Sequence, residues 1–139
     1  PHRTLAMRLN RRNQHPNPEM TDVSVQYFEA GERHDFELYF THPAGFLLFV
    51  YAFLHCQHRY LCVNAAERDL IMDSASGLIE VRTDEEWHMQ KLRIHFDVQS
   101  SNAVATADDA AYIIDRMQHC PVSVNIRDIP DTEVSVDFG

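Results

Sequence analysis

The sequence predicts an α+β fold with the element order β-β-β-α-β-β-α-α-β, and three observations carry that reading. Apolar and polar residues alternate with period two near the start, in the middle and at the end of the chain, which marks strands. The stretch between Gly45 and Gly77 holds no Gly or Pro, room for one long helix. Thr106 with Asp109 three residues on marks the start of a second helix.

The elements follow in order. Leu5, Met7 and Leu9 alternate with Ala6 and Arg8 as a first strand, and Asn13 to Pro18 is a loop because its prolines remove donors and fix backbone angles. Val23, Val25 and Tyr27 form the next strand and Phe36, Leu38 and Phe40 the third, with Ala30-Gly31-Glu32 as the turn between them. Thr41 as cap and Pro43 in a first turn lead into a helix from Phe46 to about Arg68. Its first half is apolar all round, the pattern of a buried helix. Past Gly77 as a breaker, Leu78 to Val81 is a strand, Thr83 to Glu86 a charged turn, and Leu92, Ile94, Phe96 and Val98 the clearest strand. The helix from Thr106 runs to about His119 and buries Ala110, Ile113, Ile114 and Met117. Cys120-Pro121 breaks it, Val122 to Ile126 reads as a short helix, and Val134, Val136 and Phe138 close the chain as a strand.

The 139 residues, 45% hydrophobic and 24% charged, fit one domain spanning 1–139. Four Gly and six Pro are too few for a disordered or linker-rich chain. The longest uncharged apolar run, Phe46 to Leu54, is nine residues, short of the roughly 20 a membrane span needs, so no membrane partner is expected. The net charge of −9 is uneven: residues 1–20 carry +3 through Arg3, Arg8, Arg11 and Arg12, and the rest carries −12. An acidic body repels phosphate, so nucleic acid is not an expected partner. The four arginines read as a solvated face. Three Cys make no disulfide scaffold, and a reducing cytoplasm is the expected compartment.

Chemistry concentrates on the cysteines. Cys120 precedes a helix start, where unpaired backbone N–H groups favour a thiolate; a small buried side chain at a helix stop is the alternative. Cys56 and Cys62, six residues apart on the long helix, lie on separate faces and cannot bond each other. Arg59 is three residues from both and within reach to lower a thiol pKa. Cys56 is alternatively core filler. His58 and Cys62 share a face and could hold one metal ion, but His55 and Cys56 point elsewhere and no Cys-x-x-Cys or His-Glu-x-x-His occurs. Neither a Gly-x-Ser-x-Gly nucleophile turn nor a Gly-rich phosphate loop is present.

Two segments resemble a known family. His42-Pro43-Ala44-Gly45-Phe46-Leu47-Leu48 leading to Cys56, with Asn64 to Leu70 as the helix ending, is similar to the first motif of the OsmC/Ohr family. These are the osmotically induced and organic-hydroperoxide-resistance proteins. Asp109 to Ile126, containing Cys120-Pro121-Val122-Ser123, resembles the second motif, a helix followed by Cys-Pro-x-Ser. The resemblance covers about residues 21–139. It implies the OsmC-like fold in an intertwined homodimer and a peroxidase without metal or cofactor. The substrate would be an organic hydroperoxide, Cys56 the peroxidatic and Cys120 the resolving thiol, with an external dithiol as reductant. Cys62 has no family counterpart and reads as packing. Gly45 stands where the family has a Glu; Arg33 and Arg12 are candidates for the activating Arg, and Arg59 is a possible substitute. Competing readings are a degenerate member that binds an apolar ligand and a His/Cys metal-binding protein.

Overall fold

The computed structural model describes residues 3–12, 23–35, 45–100, 102–125 and 129–139. It is an α+β arrangement with one six-stranded sheet and two α-helices. The strands are β1 (Arg3–Arg12), β2 (Val23–Glu29), β3 (Glu32–Asp35), β4 (Met72–Thr83), β5 (Met89–Ser100) and β6 (Asp131–Asp137). The helices are α1 (Gly45–Glu67) and α2 (Ala107–Met117), and Ser123–Asn125 forms one 3₁₀ turn. The sheet order is β3-β2-β1-β4-β5-β6, antiparallel except for the parallel pair β5–β6.

Period two does the sorting. Leu5, Met7 and Leu9 of β1, Ala75, Ile79 and Val81 of β4, and Leu92, Ile94, Phe96 and Val98 of β5 all point to one face and are buried. α1 packs on that face against β1 and β4 through Val50, Phe53, Leu54, Leu61 and Ala65. α2 packs on α1 and β6, with Ile113 and Met117 fully buried. On the outer face a polar row fixes the β5–β6 register: His95 bridges Ser135 Oγ at 2.7 Å and Asp97 Oδ1 at 3.1 Å.

Several expectations change in detail. The third strand occupies Glu32–Asp35, and the expected run Phe36 to Phe40 lies outside the described residues, as do the loop at 13–18 and the Thr41 and Pro43 signals. The turn before it is a two-residue hairpin in which Ala30 and Gly31 both have positive φ, 52° and 79°, the geometry that matches strand twist. Gly77 is no breaker: β4 starts at Met72 and runs through it. α2 ends at Met117, two residues earlier than expected, and the short helix is the single 3₁₀ turn. The first half of α1 is not buried all round, since Leu48 and Phe49 are 37% and 41% exposed. By length and composition α1 is apolar enough to cross a membrane, which the run-length argument missed; here its inner face supplies the core of the fold. Arg11 is not on a solvated face but continues the inward row of β1 and is 3% exposed.

The start of α2 matches its sequence signal. Thr106 Oγ1 accepts from Asp109 N at 3.1 Å, and Asp109 Oδ2 accepts from Thr106 N at 3.0 Å, a complete capping box. Thr106→Ala should lower stability by about 1 kcal/mol in urea denaturation, with the core contacts of Ile113 and Met117 retained.

Candidate functional site

α1 brings Cys56 to the point where the chain leaves α2. The chain turns there because Pro121 cannot continue the helix, and Val124 N donates to Cys120 O at 3.1 Å while Asn125 Nδ2 donates to Pro121 O at 2.7 Å. The turn places Cys120, fully buried, against Cys56, which is partly exposed on α1. The two free thiols, 64 positions apart in sequence, are near enough that each shifts the other's ionisation, and the Val122 backbone N–H acts on both.

Gln57, the next residue on α1, ties this arrangement together. Its Nε2 donates to Met117 O and to Ser123 Oγ, both at 2.8 Å, and lies 3.3 Å from Cys120 Sγ. The contact with a carbonyl fixes which amide atom faces the site, because Oε1 there would meet another acceptor. Ser123 N donates to Cys120 Sγ at 3.2 Å, and Ser123 Oγ lies 3.0 Å from the same sulfur.

These contacts divide the two sulfurs electrostatically. Burial, and then the hydrogen bond with Cys120, push the Cys56 thiol up to about 11, against an opposing pull from the Val122 N–H. Burial also acts upward on Cys120, but the Ser123 hydroxyl, the Cys56 thiol and the N–H groups of Ser123 and Val122 outweigh it and hold that thiol below its ordinary value. The site favours negative charge on Cys120. The Arg59 charge acts on His55 and on Cys62.

The third thiol belongs to a separate cluster. Cys62 Sγ lies 3.6 Å from His58 Nε2, which accepts from Arg11 Nε at 3.0 Å. His58 is neutral there, its pKa lowered to about 3 by burial first and then by the charges of Arg11 and His55. Arg11 Nη2 donates to Met72 O at 3.4 Å, while Arg11 Nη1 and His58 Nδ1 find no partner among the described residues. His58 and Cys62 share a face as the spacing predicts, but no group of three or more possible metal ligands exists among the described residues. Arg33 is exposed on β3, on the opposite edge of the sheet from β6.

A cavity of about 170 Å³ is lined by Gln57 and Ser123, the partners of Cys120, and by neither thiol itself. Phe53, Leu92, Ile94, Ile129 and Val134 make its apolar walls. Phe53 lines this cavity, whereas Phe46 lines a different groove beside Trp87, its ring 5.0 Å from the Trp87 ring.

Sequence reading pointed to Cys56, Cys120 and the motif serine Ser123, and these come together. It missed Gln57, whose signal was an amide inside an otherwise apolar helix. It also missed the pairing of Arg11 with His58, for which distant positions in sequence gave no signal.

No family model matches the chain, and no curated protein sequence matches it. Solved structures do. An OsmC-like hydroperoxide resistance protein from Jannaschia sp. CCS1 superposes with a TM-score of 0.61 at 9% identity, covering 90% of this chain and 89% of that one. An OsmC-like protein from Mycoplasma pneumoniae gives a TM-score of 0.54 at 10% identity, covering 95% and 94%. Taken with the strand order and the two packed helices, these likenesses establish that this chain has the OsmC-like fold.

Proposed function

We propose that the chain is a dithiol peroxidase that reduces small organic hydroperoxides. The observation that carries this is the pairing of two free thiols that influence each other's ionisation, a partly exposed Cys56 and a buried Cys120 held by Gln57 and Ser123. The Jannaschia protein, described as a hydroperoxide resistance protein, supports the same class of chemistry.

The cycle uses groups already in place. Cys56, the more exposed sulfur, attacks the terminal oxygen of the peroxide; an S–O bond forms, the O–O bond breaks, and the alkoxide leaves as the alcohol after taking a proton. Cys120 then attacks the sulfenic sulfur of Cys56, forming the disulfide as the hydroxyl group leaves as water. An external dithiol restores both thiols by two exchange steps, which suits a cytoplasmic setting. The walls of the cavity would take the organic part of the substrate. Leu48 and Phe49, exposed on α1, support a homodimer in which a second subunit covers this side of the helix.

The test is consumption of cumene hydroperoxide with dithiothreitol by wild type, Cys56→Ser and Cys120→Ser. Wild type should turn over, and Cys56→Ser should fall to the uncatalysed rate. Cys120→Ser should lose turnover and form no intramolecular disulfide on treatment with peroxide. A wild type without turnover would sink the reading. The high pKa of Cys56 favours a second one, an apolar-ligand binder; saturable binding of cumyl alcohol without peroxide consumption would identify it.

A further inference from the structure

Among the described residues, Gly45 stands where the family resemblance implies a Glu, and no Arg is among the influences on the Cys56 thiol. Among the described residues, the titratable group that acts on the Cys56 thiol is Cys120.

Ser123 Oγ has two polar side-chain neighbours, Gln57 Nε2 and Cys120 Sγ. Gln57 Nε2 is only a donor, and its other hydrogen is committed to Met117 O at 2.8 Å. The Ser123 oxygen therefore accepts from Gln57, and the hydroxyl proton is left to point at Cys120 Sγ. With a neutral Cys120 thiol the contact runs the other way, Cys120 Sγ donating to Ser123 Oγ at 3.0 Å. With a thiolate, the Ser123 hydroxyl and the Ser123 N–H both donate to the Cys120 sulfur, with the Gln57 amide 3.3 Å from it. Among the described residues no charged side chain contributes to this balance; Cys56 is the only titratable group that acts on Cys120, and neighbouring His119 is turned away to the Asp115 carbonyl at 2.9 Å.

We propose that Gln57 is a positioning residue which, through Ser123, places the negative charge of the dithiol pair on Cys120 and the proton on Cys56, and that Cys120 is the base for Cys56. This rests on the peroxidase reading above. The S–H bond of Cys56 breaks as one forms on Cys120, and the Cys56 thiolate attacks the terminal peroxide oxygen. The departing alkoxide recovers the proton from Cys120 through solvent and leaves as the alcohol. Cys120, a thiolate again, attacks the Cys56 sulfenic acid; S–S forms, and the hydroxide that leaves is protonated by solvent. Burial of Cys120 and exposure of Cys56 suit this division, since only the nucleophile has to meet the substrate.

The test follows thiolate formation by ultraviolet absorbance against pH in Cys56→Ser, with no peroxide present. Its failure is therefore distinct from absence of peroxidase activity. Cys120 should ionise below the ordinary thiol value of about 8.5. Adding Gln57→Leu should raise that midpoint by about one pH unit, a tenfold loss of thiolate at neutral pH. Ser123→Ala should raise it similarly, and the two together by no more than the larger single shift, because they act through one hydrogen-bond chain. A Cys120 midpoint at or above the ordinary value, or one unmoved by Gln57→Leu, overturns the proposal. If Gln57→Leu does not fold, an unmoved midpoint in Ser123→Ala overturns it equally.

Discussion

Lowering the pH from 7 to 4.5 should remove about 3 kcal/mol of stability through His58 alone. In the native state His58 is fully buried and its pKa is held at about 3, whereas in the unfolded chain it returns to about 6.5. Between these values the unfolded state binds a proton that the native state refuses. Stability is therefore complete above pH 6.5 and falls with pH, by about 1.4 kcal/mol per unit, until His58 protonates in place near pH 3. His55, also lowered by burial and by Arg59, acts with the same sign. Asp84 and Asp109, held below the usual carboxylate range by backbone hydrogen bonds, add their loss only at lower pH. His58→Gln offers an acceptor to Arg11 but cannot titrate. Urea denaturation at pH 7 and pH 4.5 should show the variant losing about 3 kcal/mol less than wild type over that interval. Equal losses in the two proteins would refute the assignment.

Gly77→Val should destabilise the fold by about 3 kcal/mol. A Cβ at this position would come within 2.8 Å of Phe96 Cδ1 and closer still to Cε1, and β-carbons do not approach that near. The ring cannot retreat easily. Phe96 is fully buried, and its other neighbours include His58, stacked on it at 5.9 Å between centroids. His58 is in turn held by Arg11. Overpacking at Gly77 thus presses on a chain of buried groups rather than on a free surface. Gly77→Val with Phe96→Leu should recover part of the loss, since the shorter side chain vacates the overlap. Urea denaturation of both single variants and the double variant measures it, and strict additivity would show that the ring is not the obstacle.

The same two positions show where sequence reading reached its limit. Strands and helices were legible because each depends on local period: β1, β2, β5, β6, α1 and α2 all lie where alternation, a breaker-free stretch or a capping box placed them. Gly77 was misread because its reason is a partner nineteen positions away, directly across the β4–β5 ladder. Arg11 was misread because charge composition assigns arginine to solvent, whereas the inward register of β1 overrides it. At the site, Cys56, Cys120 and Ser123 carry motif signals. Gln57 carries none beyond its polarity in an apolar helix, and only the packing of α1 against the end of α2 shows what its amide holds.

The placement of β1 has a consequence during synthesis. One edge of β1 pairs with β2 almost as soon as both are made, but the other edge pairs with β4, whose partners lie 62 to 80 residues further along the chain, from Arg12↔Ser74 to Arg3↔Thr83. At about 5–20 residues per second on the ribosome, that edge stays without its partner for roughly 3 to 16 s. An open row of backbone donors and acceptors beside Leu5, Met7 and Leu9 is a template for any other nascent strand. The strand that ends at the centre of the sheet is thus the one most exposed to a stranger's pairing while the chain is being made, and crowded translation is where this fold is most vulnerable to aggregation.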